Sequence, residues 1–204
     1  MDALSMLAQF HETDKGPRHH NYTPLYYEIF QNIERRYGLM LKPRILEIGI
    51  DTGAALRLFR EYLGFCNLFG IDILDLRDEA ATASAHFAQG DAEDVCFLRE
   101  VFPGERFDLV IDDASHRVAG WRAVVAALLP RVNPGGFLIL EDLHVWRDKW
   151  ETGDVYDEFF TDLVFMAIMD PLAMPSAAPP WCRCIQDVTF LRNLCVIRRN
   201  SYEP

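Results

Sequence analysis

The sequence predicts a doubly wound α/β fold: a seven-stranded sheet, mostly parallel, closed by a C-terminal antiparallel hairpin, with helices on both faces. Three observations carry this expectation. Short apolar runs alternate with helical spacings, a pattern that implies right-handed crossovers and parallel pairing. Most of the strand-like runs end on acids. The run Arg44-Ile45-Leu46-Glu47-Ile48-Gly49-Ile50 stops on a glycine loop that opens a helix at Gly53. Its apolar residues are continuous, as in a strand covered on both faces.

Gly49 and Gly53 stand where the backbone must turn sharply or let a ligand approach without a Cβ in the way. The next strand, Asn67 to Ile73, carries Asp72. That acid follows the glycines by about 20 residues, the spacing at which nucleotide-binding Rossmann-like folds set a carboxylate on ribose hydroxyls. The glycines alone do not prove a ligand, since a tight strand-to-helix turn needs them too, and Asp51 breaks the G-x-G-x-x-G pattern.

The chain has 204 residues, enough for one domain with a sheet covered on both sides. Its net charge of −11 argues against nucleic acid and against an anionic membrane surface, because both need clustered Lys and Arg. A divalent cation remains compatible. Five cysteines, an odd count, fit a reducing compartment. Cys66, Cys96 and Cys195 read as buried thiols, while Cys182-Arg183-Cys184 has the wrong spacing for zinc. The N-terminus lacks the basic and apolar regions of a signal peptide, and no apolar run reaches spanning length, so a cytoplasmic protein is expected.

In order along the chain, a short helical pattern precedes Thr13-Asp14-Lys15-Gly16-Pro17, a polar stretch that composition alone reads as a solvated linker. Thr23-Pro24 reads as an N-cap with proline at the first helical position. The helix that follows places Leu25, Ile29 and Ile33, and Tyr26, Phe30 and Tyr37, at core spacing up to Gly38. After Asp72, Leu76–Ala83 is a poor helix candidate, Ala85–Ala88 a short strand leading to Asp91, and Ala92–Phe102 a helix stopped by Pro103-Gly104. Arg106–Ile111 is the fourth strand, exiting through Asp112-Asp113-Ala114-Ser115-His116. Trp121–Leu129 is an apolar helix closed by Asn133-Pro134-Gly135-Gly136. Phe137–Leu140 is the fifth strand, exiting at Glu141-Asp142. Trp146–Asp154 reads as a loop or lid, Val155–Met169 as a helix, and Met174–Pro180 as a stiff linker. Ile185–Leu191 and Leu194–Ile197 flank Arg192-Asn193 as a hairpin.

Ligands of open α/β sheets sit beyond the carboxyl ends of the strands. Those ends carry Glu47, Asp72, Asp91, Asp112-Asp113 and Glu141-Asp142. Each acid by itself could cap a helix or a loop. Gathered in one crevice they repel unless a cation lies between them, and oxygen ligands select a hard ion such as magnesium. His116, three residues past Asp113, can share its face. An imidazole near its ordinary pKa of about 6.5 can take a proton at neutral pH.

The motifs T-D-K-G…H-x-Y-T, I-L-E-I-G-I, G-I-D-I, G-D, F-D-L-V-I-D-D-A-S-H, N-P-G-G and E-D-L, running from Thr13 to Leu143, together resemble one group. They are similar to class I S-adenosylmethionine-dependent methyltransferases, and within these to the metal-dependent sugar O-methyltransferases of macrolide and aminocoumarin antibiotic biosynthesis. Ala114 stands where that group usually has glycine.

The resemblance implies a single domain over 1–204. It divides into an N-terminal cap segment and helix (1–40), a cofactor-binding core (41–143), a lid and helix (144–184) and the hairpin (185–199). S-adenosylmethionine would be bound by Lys15, His20, Tyr22, Glu47, Gly49, Gly53, Asp72, Asp91 and Asp112. Glu47, Gly49 and Gly53 would border its methionine moiety. Magnesium would be held by Asp113, Glu141 and Asp142, and His116, with Asp113, would carry the catalysis as base. The expected partner is a small-molecule hydroxylated acceptor, a sugar or polyol of a natural product, and a homo-oligomer is allowed for. A silent cofactor-binding accessory protein and a hydroxylase-like relative of the same fold are the alternatives; the second lacks the two-histidine facial triad that a redox iron needs.

Overall fold

The computed structural model describes residues 2–37, 42–143, 156–169, 174 and 176–203. Helices α1 (Ala3–Phe10) and α2 (Thr23–Tyr37) precede the sheet. The parallel core then alternates β1 (Arg44–Ile48), α3 (Ala54–Leu63), β2 (Asn67–Asp72), α4 (Arg77–Thr82), β3 (His86–Gln89), α5 (Val95–Glu100), β4 (Phe107–Asp112), α6 (Val118–Leu128) and β5 (Val132–Leu140). Helix α7 (Tyr156–Ile168) leads to β6 (Ile185–Leu191) and β7 (Leu194–Arg199).

The seven strands lie in the order β3-β2-β1-β4-β5-β7-β6. Strands β1 to β5 pair in parallel, and β7 slots antiparallel between β5 and β6. The chain builds outward from β1 to β3 and then returns to place β4 on the other side of β1. Strand order therefore reverses between β1 and β4, the point where such sheets open a crevice. Alternation of side chains splits the core in two. Leu46, Ile48 and Val110 face α5, α6 and α7, where Leu98, Trp121 and Phe159 are buried. Ile45, Leu109 and Ile139 face α1 to α4, where Ala8, Tyr26, Phe30, Phe59 and Ala80 are buried.

The structure departs from the sequence reading at several edges. Pro134-Gly135-Gly136, expected as the stop after a helix, lies inside β5, where the register against β4 shifts between Phe107 and Leu109. Gly136 allows this because a Cβ there would fall 2.7 Å from the Asp108 carbonyl. The weak pattern before β3 does form a helix, α4, anchored by buried Ala80. The helix expected over Ala92–Phe102 shrinks to Val95–Glu100, because Asp94 caps it through the amides of Cys96 and Phe97. Cys96, expected buried, is exposed on the outer side of that short helix. Residues 13–23 are no solvated linker: Thr13, Lys15, Tyr22 and Thr23 are buried. The lid region 146–154 lies outside the described residues. Among the described residues no helix is long and apolar enough to cross a membrane.

Candidate active site

A cleft of about 570 Å³ opens at the carboxyl ends of β1, β2 and β4. Gly49 forms its floor in the left-handed region, φ +82°, and its amide donates to the Ile71 carbonyl at 2.8 Å. A Cβ on it would sit 2.3 Å from the Asp113 carbonyl oxygen, so only glycine lets the loop after β1 lie against the loop after β4. At the other end, the Asp72 carboxylate accepts the amides of Ile50 at 3.0 Å, Asp51 at 3.4 Å and Leu74 at 3.0 Å. It ties the glycine loop to the end of β2. Asp91 is exposed on the same wall, beyond β3.

The opposite wall is built around Lys15. Its carbonyl is held by the amides of Tyr22 at 2.9 Å and Thr23 at 3.2 Å, which hooks the strap of residues 13–23 onto the start of α2. Its ammonium then reaches inward, 2.6 Å from Asp113 Oδ2, 2.6 Å from Glu141 Oε2 and 3.7 Å from Glu47 Oε1. Lys15 is 1% exposed. Burial by itself would pull its pKa down, but Glu141, then Asp113 and Glu47, hold it well above the ordinary lysine value, so the ammonium stays charged. The cation that the clustered carboxylates require is in part supplied by the chain itself.

Glu47 is the least well paired of the three acids. Its Oε2 is buried with no hydrogen-bond partner among the described residues, and burial pushes its pKa up from 4.5 to about 8 against the pull of Lys15. Between those values the folded chain keeps a proton that the unfolded chain has lost. Stability must therefore fall as pH rises from about 5 towards 8, by up to about 1.4 kcal/mol per pH unit. Glu47→Gln, which has no such proton to lose, is expected to flatten this part of the curve. Urea unfolding of both proteins at about pH 5.5 and about pH 8 measures it; an equal slope in the two would reject the assignment.

At the cleft mouth Asp113, His116 and Asp142 converge, with candidate ligand atoms within 4.8 Å of one another. His116 Nε2 lies 4.0 Å from Asp113 Oδ1, too far for a hydrogen bond. His116 at φ +50° and Asp142 at φ +54° both occupy the left-handed region, which non-glycine residues enter at a cost of order 1–3 kcal/mol. Asp142 is anchored by the Tyr22 hydroxyl at 2.7 Å and faces His20 Nε2 at 3.5 Å. Asp14, His20 and Asp142 form a second convergence on the far side of that carboxylate.

The candidates thus divide. Lys15, Glu47, Gly49, Asp72, Asp91, Asp113, His116 and Asp142 line the cleft. Glu141 does not: it faces inward, with Oε2 on Lys15 and Oε1 accepting the Tyr26 hydroxyl. Asp112 is also off the wall. Strand alternation turns its side chain into the core, where burial raises its pKa to about 7. Gly53 caps α3 at φ +72° against the Glu79 carbonyl, and His20 and Tyr22 stand behind Asp142. Sequence reading missed Tyr26 and Asp14. Tyr26 was read only as part of an apolar helix face, yet a buried hydroxyl needs a partner, and that was the available signal.

No family model matches this chain. It is 33% identical over 148 residues to the 8-demethyl-8-(2-methoxy-alpha-L-rhamnosyl)-tetracenomycin-C 3'-O-methyltransferase of Streptomyces olivaceus, covering 69% of this chain and 36% of that protein. It is 31% identical to the 8-demethyl-8-alpha-L-rhamnosyl tetracenomycin-C 2'-O-methyltransferase of the same organism, over 97% of this chain and 55% of that one. Among solved structures it is similar to the MycE methyltransferase of the mycinamycin biosynthetic pathway in complex with Mg and SAH. That likeness has a TM-score of 0.82 at 26% identity and covers 98% of this chain and 55% of the other. The chain spans between about a third and just over half of the length of these curated relatives.

Proposed function

We propose that this chain, built on the class I methyltransferase fold and homologous to sugar O-methyltransferases of macrolide and tetracenomycin biosynthesis, moves a methyl group from S-adenosylmethionine to a sugar hydroxyl on a small natural product. The observation that carries this reading is the convergence of Asp113, His116 and Asp142 at the mouth of an acidic cleft. Eight carboxylates and one lysine line that cleft among the described residues. Such a wall favours a cationic sulfonium donor over its neutral thioether product, which assists both capture and release.

In the binding step, Asp72 and the glycine loop it braces suit the ribose and methionine ends of the cofactor, with Asp91 further along the same wall. Asp113 and Asp142 fit magnesium by their chemistry, as two carboxylates from adjacent strand ends with Lys15 and Tyr22 fixing them from behind. The bound ion would lower the pKa of the acceptor hydroxyl. His116 Nε2, free of any hydrogen bond to Asp113, takes the hydroxyl proton. The Asp113 carboxylate 4.0 Å away then stabilises the imidazolium. With donor and acceptor bound, the loops around the cleft would position the two for transfer, and such positioning supplies much of the acceleration in reactions of this kind. Unpaired thiols at all five cysteines fit a reducing, cytoplasmic setting.

Transfer of labelled methyl from S-adenosylmethionine to a panel of deoxysugar glycosides tests the reading. Turnover is expected with magnesium, lost in EDTA and restored by excess magnesium. Full turnover in chelator would reject the metal role. Cofactor binding with no transfer to any hydroxylated acceptor would instead identify an accessory protein.

A further inference from the structure

A second cavity, of about 610 Å³, lies at the opposite end of the sheet. Strand β5 runs from one site to the other: Gly135 lines this cavity and Glu141 stands behind the cleft, about 20 Å away at strand rise. Helix α2 makes the same journey, with Tyr26 on Glu141 at one end and Arg35 and Arg36 at the other.

The lining of this cavity is unlike the rest of the molecule. The chain carries a net charge of −11 and 20 basic residues, and three of these, Arg35, Arg36 and Arg198, border the cavity. No carboxylate lines it among the described residues; Asn32 and Gln186 add side-chain amides, while the Asn200 amide is engaged with the backbone of Arg183, Ile185 and Tyr202. Asp187, the register partner of Arg198 across the hairpin, is not on its wall. Last-turn arginines complement a helix dipole, which by itself accounts for Arg35 and Arg36. Two observations go further. Arg198 comes from β7, not from α2, and its Nε is buried with no hydrogen-bond partner among the described residues, while its guanidinium lies over the Phe137 ring at 5.8 Å. Gly135, at φ +73°, has the Arg36 guanidinium resting on it: Nη1 lies 1.6 Å from where a Cβ would stand. One guanidinium thus packs on the backbone of β5 and another on an aromatic ring.

We infer that this cavity binds a small diphosphate-bearing anion. Guanidinium forks match phosphate oxygens in pairs. Three of them exceed what one carboxylate needs, and the volume suits a ligand of nucleotide size. The site stands apart from the acidic cleft, whose charge would repel the same ligand.

The test is a titration of the whole chain with pyrophosphate, free of divalent cations because pyrophosphate chelates them. Saturable binding is expected by calorimetry. In amide NMR spectra, the shifted resonances should be Gly135, Gly136 and Asn200, and Gly49 and Asp72 should stay in place. Arg198→Gln is expected to weaken binding about tenfold and Arg36→Gln similarly, since each removes a charge-assisted contact. No saturation by about 10 mM, shifts centred on the cleft, or unchanged affinity in both variants would each overturn the inference. The NMR arm uses the unaltered protein, so it decides the matter even if a variant fails to fold.

Discussion

Lys15→Met is expected to destabilise the protein by about 3–5 kcal/mol at neutral pH, the usual result of removing one partner from a buried charged network. In a chain of this size that lowers the melting temperature by roughly 10 °C. The loss follows from geometry. Lys15 Nζ makes 2.6 Å contacts to both Asp113 and Glu141, and without it the half-buried Asp113, the buried Glu141 and the neighbouring Glu47 share a pocket with no counter-charge. The orphaned acids would then take up protons on folding. Burial already holds the folded pKa values of Glu47 and Glu141 above their ordinary value, against the pull of Lys15; without the ammonium they would rise further, so the deficit should be smallest in mild acid and grow as pH rises. Denaturant unfolding at about pH 5 and about pH 8 measures both the size and the sign. A change below about 1 kcal/mol at the higher pH would show that the ammonium is not the counter-charge of this cluster. The variant should also weaken cofactor binding, since the same contact holds the strap of residues 13–23 against the cleft.

Replacing His116 is expected to have the largest effect on chemistry. Loss of a positioned general base typically lowers turnover by about 10² to 10⁴. His116→Ala should fall in that range and still bind S-adenosylhomocysteine within about twofold of the parent, because the loop and acid read as its seat, Gly49 and Asp72, lie elsewhere on the cleft. The backbone at 116 is left-handed, φ +50°, and alanine tolerates that poorly. His116→Asn is the better-folded control, since asparagine enters this region more readily and cannot act as base. Both variants should lose turnover alike. A drop of less than about tenfold in both would remove His116 from the mechanism.

The parts of the fold legible in the sequence were those with strong local signals. Ile45, Leu46 and Ile48 form a run apolar on both faces, and β1 is buried on both faces at the centre of the sheet. Leu194 to Ile197 and the Arg192-Asn193 turn announced the hairpin, and Asn193 indeed takes the left-handed conformation at φ +64°. The parallel pairing that the alternation of strands and helices implied is observed in the β4–β5 ladder. Edges were less legible because they depend on neighbours. The irregular start of β5 is set by Asp108 and Val132 packing on Gly136, and the shortened α5 by a cap whose strength local spacing does not reveal.

The site shows the same division more sharply. Which residue types reach the strand ends is written in the sequence, because strands ending in acids and a glycine loop are local features. Which of those acids face the cleft was decided by strand alternation and by long-range partners. Asp113 and Asp142 look outward, while Asp112 and Glu141, their sequence neighbours, look into the protein. Lys15 lies 98 residues from Asp113 and 126 from Glu141 along the chain. In sequence it belongs to a polar stretch indistinguishable from a solvated loop. Only folding shows that its charge is the counterpart of theirs, because electrostatic energy depends on separation in space and on exclusion of water, and neither is encoded in any local window.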